Sequence, residues 1–239
     1  MAAYNRSVDK LETLFLDAGG VLVFPNWDRI RETLARHGVD VSSEALRSAE
    51  PKAKFDIDQS IRTGQSTDSQ RAWWYMELVL ENAGVPLDAA TAAALAELRA
   101  YHGEHNLWEY VPPDVQPALD RLSTLGLKLV VVSNANGVLH RMFDRVGLTR
   151  YFDCVCDSFL EGVEKPDARF FEIAMERSGA RAETTMHVGD LFYVDVAGAR
   201  NAGLRPMLID PYDLYREYDV ERVASLNDLV TRLQQQAHP

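Results

Sequence analysis

Hydrophobic positions along this chain follow two different rules. Near the start, and again beyond residue 112, short apolar runs are separated by stretches of helical period. The runs are Leu14-Phe15-Leu16, Leu127 to Val132, Cys154-Val155-Cys156, Met186-His187-Val188 and Pro206-Met207-Leu208-Ile209. Apolar character without alternation predicts strands buried on both faces, as in a parallel sheet covered by helices. Pro112-Pro113-Asp114 starts a helix through Leu119, Leu122 and Leu125 that Gly126 stops. Further helices are predicted from about Val138 to Val146, from Phe170 to Arg177, from beyond Asp190 to Asn201, and from Ser225 to Gln234. Strands alternating with helices in this way define an α/β fold.

Between about residue 26 and residue 111 nothing alternates with period two. Asn26 or Asp28 caps a helix through Ile30, Leu34 and Ala35, with a stop at His37-Gly38. Ser42-Ser43-Glu44 opens a second helix, and Thr67-Asp68-Ser69 a third that carries Trp73, Trp74, Met76, Leu78, Val79 and Leu80. Asp88 through Ala100 is an Ala/Leu-rich fourth helix of high intrinsic propensity. The pattern predicts a helical bundle, 26–111, inserted into an α/β core made of 1–25 and 112–239.

Composition narrows the function. Across 239 residues the formal net charge is −11. That argues against a sequence-independent grip on nucleic acid or on an anionic membrane, both of which need a basic surface. It leaves room for a small phosphorylated ligand, because a metal ion or a local Lys inverts the sign at a site. Cys154 and Cys156, the only cysteines, are too close in sequence for a useful staple and lack partners for a zinc site. With a polar N-terminus and no apolar run of spanning length, the chain is expected to be cytoplasmic. The sequon Asn5-Arg6-Ser7 then reads as a chance match. Oligomeric state leaves no legible mark.

Four predicted strand ends carry polar groups of complementary kinds, and strand ends are where ligands collect in such sheets. Asp17 follows the first strand and precedes Gly19-Gly20. Ser133-Asn134 follows Val130-Val131-Val132 and offers a hydroxyl and an amide to an oxyanion. Lys165-Pro166-Asp167 places a cation before a helix. Gly189-Asp190 with Asp195 places two carboxylates at a strand end and the next helix start. Singly, each is an ordinary turn or cap. Together, Asp17 with Asp190 calls for a hard divalent cation with oxygen ligands, Mg²⁺, and the added Lys and hydroxyl complete a set suited to phosphoryl transfer.

From about Leu11 to Ile209 the chain resembles the haloacid dehalogenase (HAD) superfamily. The resemblance lies in Asp17-Ala18-Gly19-Gly20-Val21-Leu22, Val131-Val132-Ser133-Asn134, Glu164-Lys165-Pro166-Asp167, His187-Val188-Gly189-Asp190 and Asp195-Val196-Ala197-Gly198-Ala199-Arg200-Asn201-Ala202-Gly203. It implies a Rossmann-like core with residues 26–111 as a helical cap. It implies that Asp17 is a nucleophile forming an aspartyl intermediate, and that Ser133, Asn134 and Lys165 hold the transferring group. Asp190, Asp17 and the carbonyl of Gly19 would bind Mg²⁺, with Asp195 in support.

One position departs from the pattern. HAD phosphatases usually carry a second Asp two residues after the nucleophile as acid and base, and here that residue is Gly19. General acid–base catalysis contributes about 10²- to 10⁴-fold, or roughly 3–5 kcal/mol. Three functions remain open: a Mg²⁺-dependent phosphatase that is slow or specialised, a 2-haloacid dehalogenase whose leaving halide needs no proton, and a non-catalytic metal-binding scaffold. Gly189-Asp190 weighs against dehalogenation. Within the inserted helices, His102 and His105 are candidate replacement acids or a solvated helix end, and Trp73-Trp74-Tyr75 is a pocket lining or bundle core. Arg47, Lys52 and Lys54 are expected to form a solvated basic face, and His187 to sit in the core.

Overall fold

The chain leaves β1 (Thr13–Leu16) by a tight turn, exits through β2 (Phe24–Pro25) and enters four helices, α1 (Trp27–Arg36), α2 (Ser43–Ile61), α3 (Asp68–Asn82) and α4 (Ala89–His105). It returns through β3 (Trp108–Tyr110) and alternates thereafter: α5 (Val115–Ser123), β4 (Lys128–Ser133), α6 (Leu139–Val146), β5 (Cys154–Asp157), α7 (Ser158–Glu161), α8 (Ala168–Ser178) and β6 (Thr185–Gly189). A π-helical turn (Phe192–Val196), α9 (Ala197–Asn201), β7 (Arg205–Ile209), β8 (Arg222–Val223) and α10 (Leu226–Ala237) complete it. This is a computed structural model, and it describes residues 10–61 and 68–237. Asn5-Arg6-Ser7 and Thr67 lie outside the described residues.

The main sheet has the order β5-β4-β1-β6-β7-β8, and all its pairings are parallel. Both faces of β1 are covered. Leu14 and Leu16 pack on one side with Leu129, Val131, Leu229 and Val230, while Phe15 packs on the other with Val130, Val132, Phe170 and Phe171. Two-sided burial is why these strands read as unbroken apolar runs. The chain winds outward from β1 through β4 to β5, then restarts at β6 on the opposite side of β1. The crevice at that reversal, beyond the carboxyl ends of β1, β4 and β6, is where such sheets bind ligands.

The four helices α1–α4 enclose a cluster of their own, including Ile30, Leu34, Leu46, Met76, Val79, Leu80 and Leu98. Entry and return run side by side, because β2 and β3 pair antiparallel with Phe24 opposite Tyr110 and Pro25 opposite Trp108. This small ribbon interrupts what the sequence pattern treats as continuous helix up to about Tyr110. Two or three residues are too few to show alternation. Helix α2 also reaches the sheet: Asp58 is fully buried, accepting from the N–H groups of Phe192 (3.0 Å) and Tyr193 (2.9 Å) and from the Tyr215 hydroxyl (2.9 Å). Among the described residues no helix is long and apolar enough to cross a membrane.

Candidate active site

The last hydrogen bond along β1, from Asp17 N to Val188 O (2.9 Å), sets the nucleophile candidate at the sheet's upper edge. Its Oδ1 accepts from Ala18 N at 2.7 Å and lies 3.0 Å from Lys165 Nζ. Ser133, at the end of β4, favours the ionised form of Asp17, and its hydroxyl donates to Asn134 O at 3.3 Å. Lys165 has no exposed surface, and its Nζ bridges Asp17 to Asp195 Oδ1 at 2.7 Å. Asp195 in turn accepts from His187 Nε2 (2.9 Å) and from the backbone N–H groups of Asp190 (3.1 Å) and Leu191 (3.0 Å). His187 is buried, as expected of a strand residue, yet it belongs to this polar network rather than to a purely apolar core.

Two glycines make the crowding possible. Gly20 has φ +70°, and a Cβ there would lie 1.7 Å from Asp190 Oδ2. A Cβ on Gly189 would lie 2.0 Å from Asp195 Cγ. Each carboxylate therefore lies directly over backbone that only glycine leaves bare. Gly19 is different: a Cβ there would meet Trp108 Cδ1 at 3.6 Å, an ordinary contact.

Asn134 is used in another way than its sequence position suggests. Its Oδ1 accepts from Lys165 N (2.8 Å) and its Nδ2 donates to Lys165 O (3.0 Å). The side chain expected at an oxyanion thus clamps the backbone of Lys165, which precedes a cis peptide to Pro166. Lys54 corrects a second expectation. It does not lie on a solvated face: its Nζ is 2.5 Å from Asp190 Oδ2 and it is mostly buried. Arg47 and Lys52 do stay at the surface, beside Asp28 (3.6 Å) and Asp56 (2.6 Å). The signal was present as the spacing of Glu50, Lys54, Ile57 and Asp58, one face of α2, but a charged stripe on a helix reads as solvent-facing until a second layer is known.

Electrostatics separate the three acids. Burial, reinforced by Asp195 and Asp190, outweighs Lys165 and pushes the Asp17 carboxyl up to about 6. Burial also raises Asp190 against the pull of Lys54. Burial opposes ionisation of Asp195 too, yet Lys165 and His187 hold it well below the usual range. Lys165 and Lys54 stay protonated because neighbouring carboxylates outweigh their burial. Asp17, Asp190 and Asp195 present oxygens within 4.8 Å of one another. Three buried carboxylates here share two ammonium groups, so the cluster is short of positive charge. Asp195 already has four donors, which leaves Asp17 and Asp190 as the pair that a hard, oxygen-liganded cation would fit.

Above these groups lies a cavity of about 760 Å³, reached by Gly19, Ser133 and Lys165 from the carboxyl edge of the sheet, by Trp73 and His102 from the helical layer and by Trp108 from β3. His102 is half-buried here, not a solvated helix end: its Nδ1 accepts from Leu107 N at 3.1 Å. Its ring meets Trp73 and Trp108 edge-on, both at 5.7 Å. Burial lowers its pKa to about 4. His105 is exposed, and Trp74 is 41% exposed. Trp73 packs against the bundle core while also lining the cavity.

A parallel sheet with buried acids and a lysine at its switch point, under an inserted helical layer, defines a hydrolase of the haloacid dehalogenase-like type. The family model for haloacid dehalogenase-like hydrolases matches residues 11–203, and the chain belongs to that family. Haloacid dehalogenase-like hydrolase domain-containing protein 3 of Xenopus laevis is 33% identical over 77% of this chain and 83% of its own length. Ribulose-1,5-bisphosphate 5-phosphatase of Halopiger xanaduensis is 32% identical over 73% and 72%. Among solved structures, 2-haloacid dehalogenase from Pseudomonas syringae pv. Tomato DC3000 superposes with a TM-score of 0.58 at 25% identity, covering 95% of this chain and 99% of that one.

Proposed function

We propose that this hydrolase is a Mg²⁺-dependent phosphatase of a small phosphorylated molecule, with Asp17 as nucleophile and residues 26–111 as a cap over the site. The observation that carries it is the placement of Asp17 between Lys165 Nζ (3.0 Å) and the Asp190 carboxylate at the switch point of the sheet. Asp17, Asp190 and the Gly19 carbonyl would hold the metal, which when bound supplies positive charge for the phosphoryl oxygens. The Asp17 carboxylate attacks phosphorus, the ester P–O bond breaks, and an aspartyl-phosphate forms that water later cleaves. Lys165 and the Ser133 hydroxyl stabilise charge on the transferring group. Asp195 fixes Lys165, and Asn134 fixes its backbone. The two free cysteines support a reducing, cytoplasmic setting.

The test is release of nitrophenol from its phosphate ester in the presence of Mg²⁺. Turnover should require the metal and fall by at least about 10³-fold in Asp17→Asn. Carbon–halogen cleavage is favoured by one observation, the absence of an acid at Gly19, since a departing halide needs no proton. Metal-independent halide release from a 2-haloacid, with no phosphatase activity, would establish it instead.

A further inference from the structure

A phosphatase without a carboxyl at position 19 must deal with the leaving oxygen in some other way, and the cavity shows what faces that oxygen. The indole edge of Trp108 confronts Gly19, its Cδ1 and Nε1 lying 3.6 and 3.8 Å from where a Cβ would be. Trp108 is held there by pairing with Pro25 and by its N–H donating to Asn106 Oδ1 (2.9 Å). Around it stand Tyr75, with ring centres 5.8 Å apart, and His102, itself against Trp73. The wall opposite the nucleophile is largely aromatic, with the Arg99 guanidinium stacked on Trp73 at 4.9 Å and Glu50 beside Tyr75.

None of these groups is suited to protonate an alkoxide, the Tyr75 phenol being engaged by Glu50 and pushed well above its ordinary range by burial. An indole N–H does not ionise, and His102 is kept neutral by burial with Nδ1 already accepting from Leu107 N. Lys165 is committed to Asp17 and Asp195. Glu50 lines the cavity, and burial raises its pKa, but Lys54 and hydrogen bonds with Tyr75 and Trp27 engage its carboxyl. A leaving group that is stable as an anion needs no proton in the transition state. A planar one gains by stacking on aromatic faces.

We propose that the site hydrolyses phosphate monoesters of aryl alcohols, the aromatic leaving group lying on the cavity side of Trp108, among Trp73 and Tyr75, and departing as the aryloxide. This rests on the phosphatase role of Asp17. The Asp17 oxygen bonds to phosphorus, the P–O(aryl) bond breaks with its electron pair on the aryl oxygen, and the aryloxide takes a proton from solvent.

The experiment compares kcat/KM at saturating Mg²⁺ for phenyl phosphates of graded phenol acidity, for benzyl phosphate and for ribulose 1,5-bisphosphate. The wild type is set beside Asp17→Asn, Trp108→Phe, Trp108→Leu and Glu50→Gln. Phenyl phosphate is expected to exceed benzyl phosphate by about 10²-fold or more, with rates rising as the phenol becomes more acidic. Trp108→Leu should raise KM for aryl esters selectively, whereas Trp108→Phe, which keeps a flat ring, should largely preserve it. As a readout independent of turnover, phenylphosphonate should quench tryptophan fluorescence more than butylphosphonate, a difference lost in Trp108→Leu. Equal kcat/KM for alkyl and aryl esters overturns aryl selectivity while leaving the phosphatase intact. So does a loss in Glu50→Gln confined to alkyl esters, which would make Glu50 the acid. Absence of Asp17-dependent turnover on every ester removes the phosphatase function itself, and the aryl preference with it.

Discussion

Lys165, Asp195, Gly20 and Asp190 show how single residues hold this site together. Asp195 is the partner that keeps the fully buried Lys165 ammonium charged and aimed at Asp17. Removing Asp195 strips Lys165 of one of its two carboxylates and leaves the N–H groups of His187, Asp190 and Leu191 without their acceptor, at a cost of about 3–5 kcal/mol. Asp195→Ala should therefore lower the urea midpoint by that equivalent as well as abolish turnover, and an unchanged midpoint would contradict the network described. The glycines make a paired forecast. Gly20→Ala puts a methyl 1.7 Å from Asp190 Oδ2 at φ +70°, so Mg²⁺ binding by calorimetry should weaken at least tenfold. Gly19→Ala meets only ordinary contacts and should keep metal affinity within a few-fold. Similar losses in both would mean that Asp190 is not placed over Gly20 for metal binding. Asp17, Lys165, Asp190 and Asp195 are legible in sequence because each sits at a strand end or helix start with a fixed local frame. Lys54, His102 and Trp108 were not, because their roles depend on which way another layer faces.

Helix α2 is the element that joins the two layers, through Lys54 on Asp190 and Asp58 beneath the π-helical turn. Burial pushes the Asp58 carboxyl up to about 7 from 3.8. The folded state thus holds the proton more tightly than the unfolded chain does. Asp58 favours folding below pH 4, and this contribution is lost as pH rises from about 4 to about 7. In Asp58→Asn that fall in stability should disappear, measured as the difference in urea midpoint between the proteins across pH 4 to 8. A constant difference would rule out the titration. Lys54 competes with metal for Asp190, so Lys54→Met should tighten Mg²⁺ binding several-fold by calorimetry, and weaker binding would show that Lys54 supports the metal instead. At this scale the long strands and helices follow from periodicity, whereas the two-residue β2 and β8 are shorter than any period. The continuity of α2 through Pro51 is a tertiary effect, its buried face overriding the local break.

The whole molecule places the proposed nucleophile at the end of β1 and its surroundings on the inserted segment. Asp17, Ser133 and Asp190 stand at strand ends and Lys165 in the loop before α8, the places that the α/β pattern predicts for them. The helices of the inserted segment supply Lys54, Trp73 and His102, where sequence periodicity records only amphipathic helices, and the return strand β3 supplies Trp108. Gly19 links the two, because its missing carboxyl affects both halves of the proposed reaction. Departure of an aryloxide tolerates the loss, but hydrolysis of the aspartyl-phosphate also lacks its base and should become the slow step. Covalent catalysis with a slow second step gives a burst. The decisive measurement is a rapid-quench experiment with excess nitrophenyl phosphate and Mg²⁺, with mass analysis of the quenched protein. A burst of about one nitrophenol per active site is expected, together with phosphate on the peptide carrying Asp17 and neither in Asp17→Asn. Linear release from the first turnover with no phosphorylated Asp17 would contradict covalent phosphatase chemistry at this site.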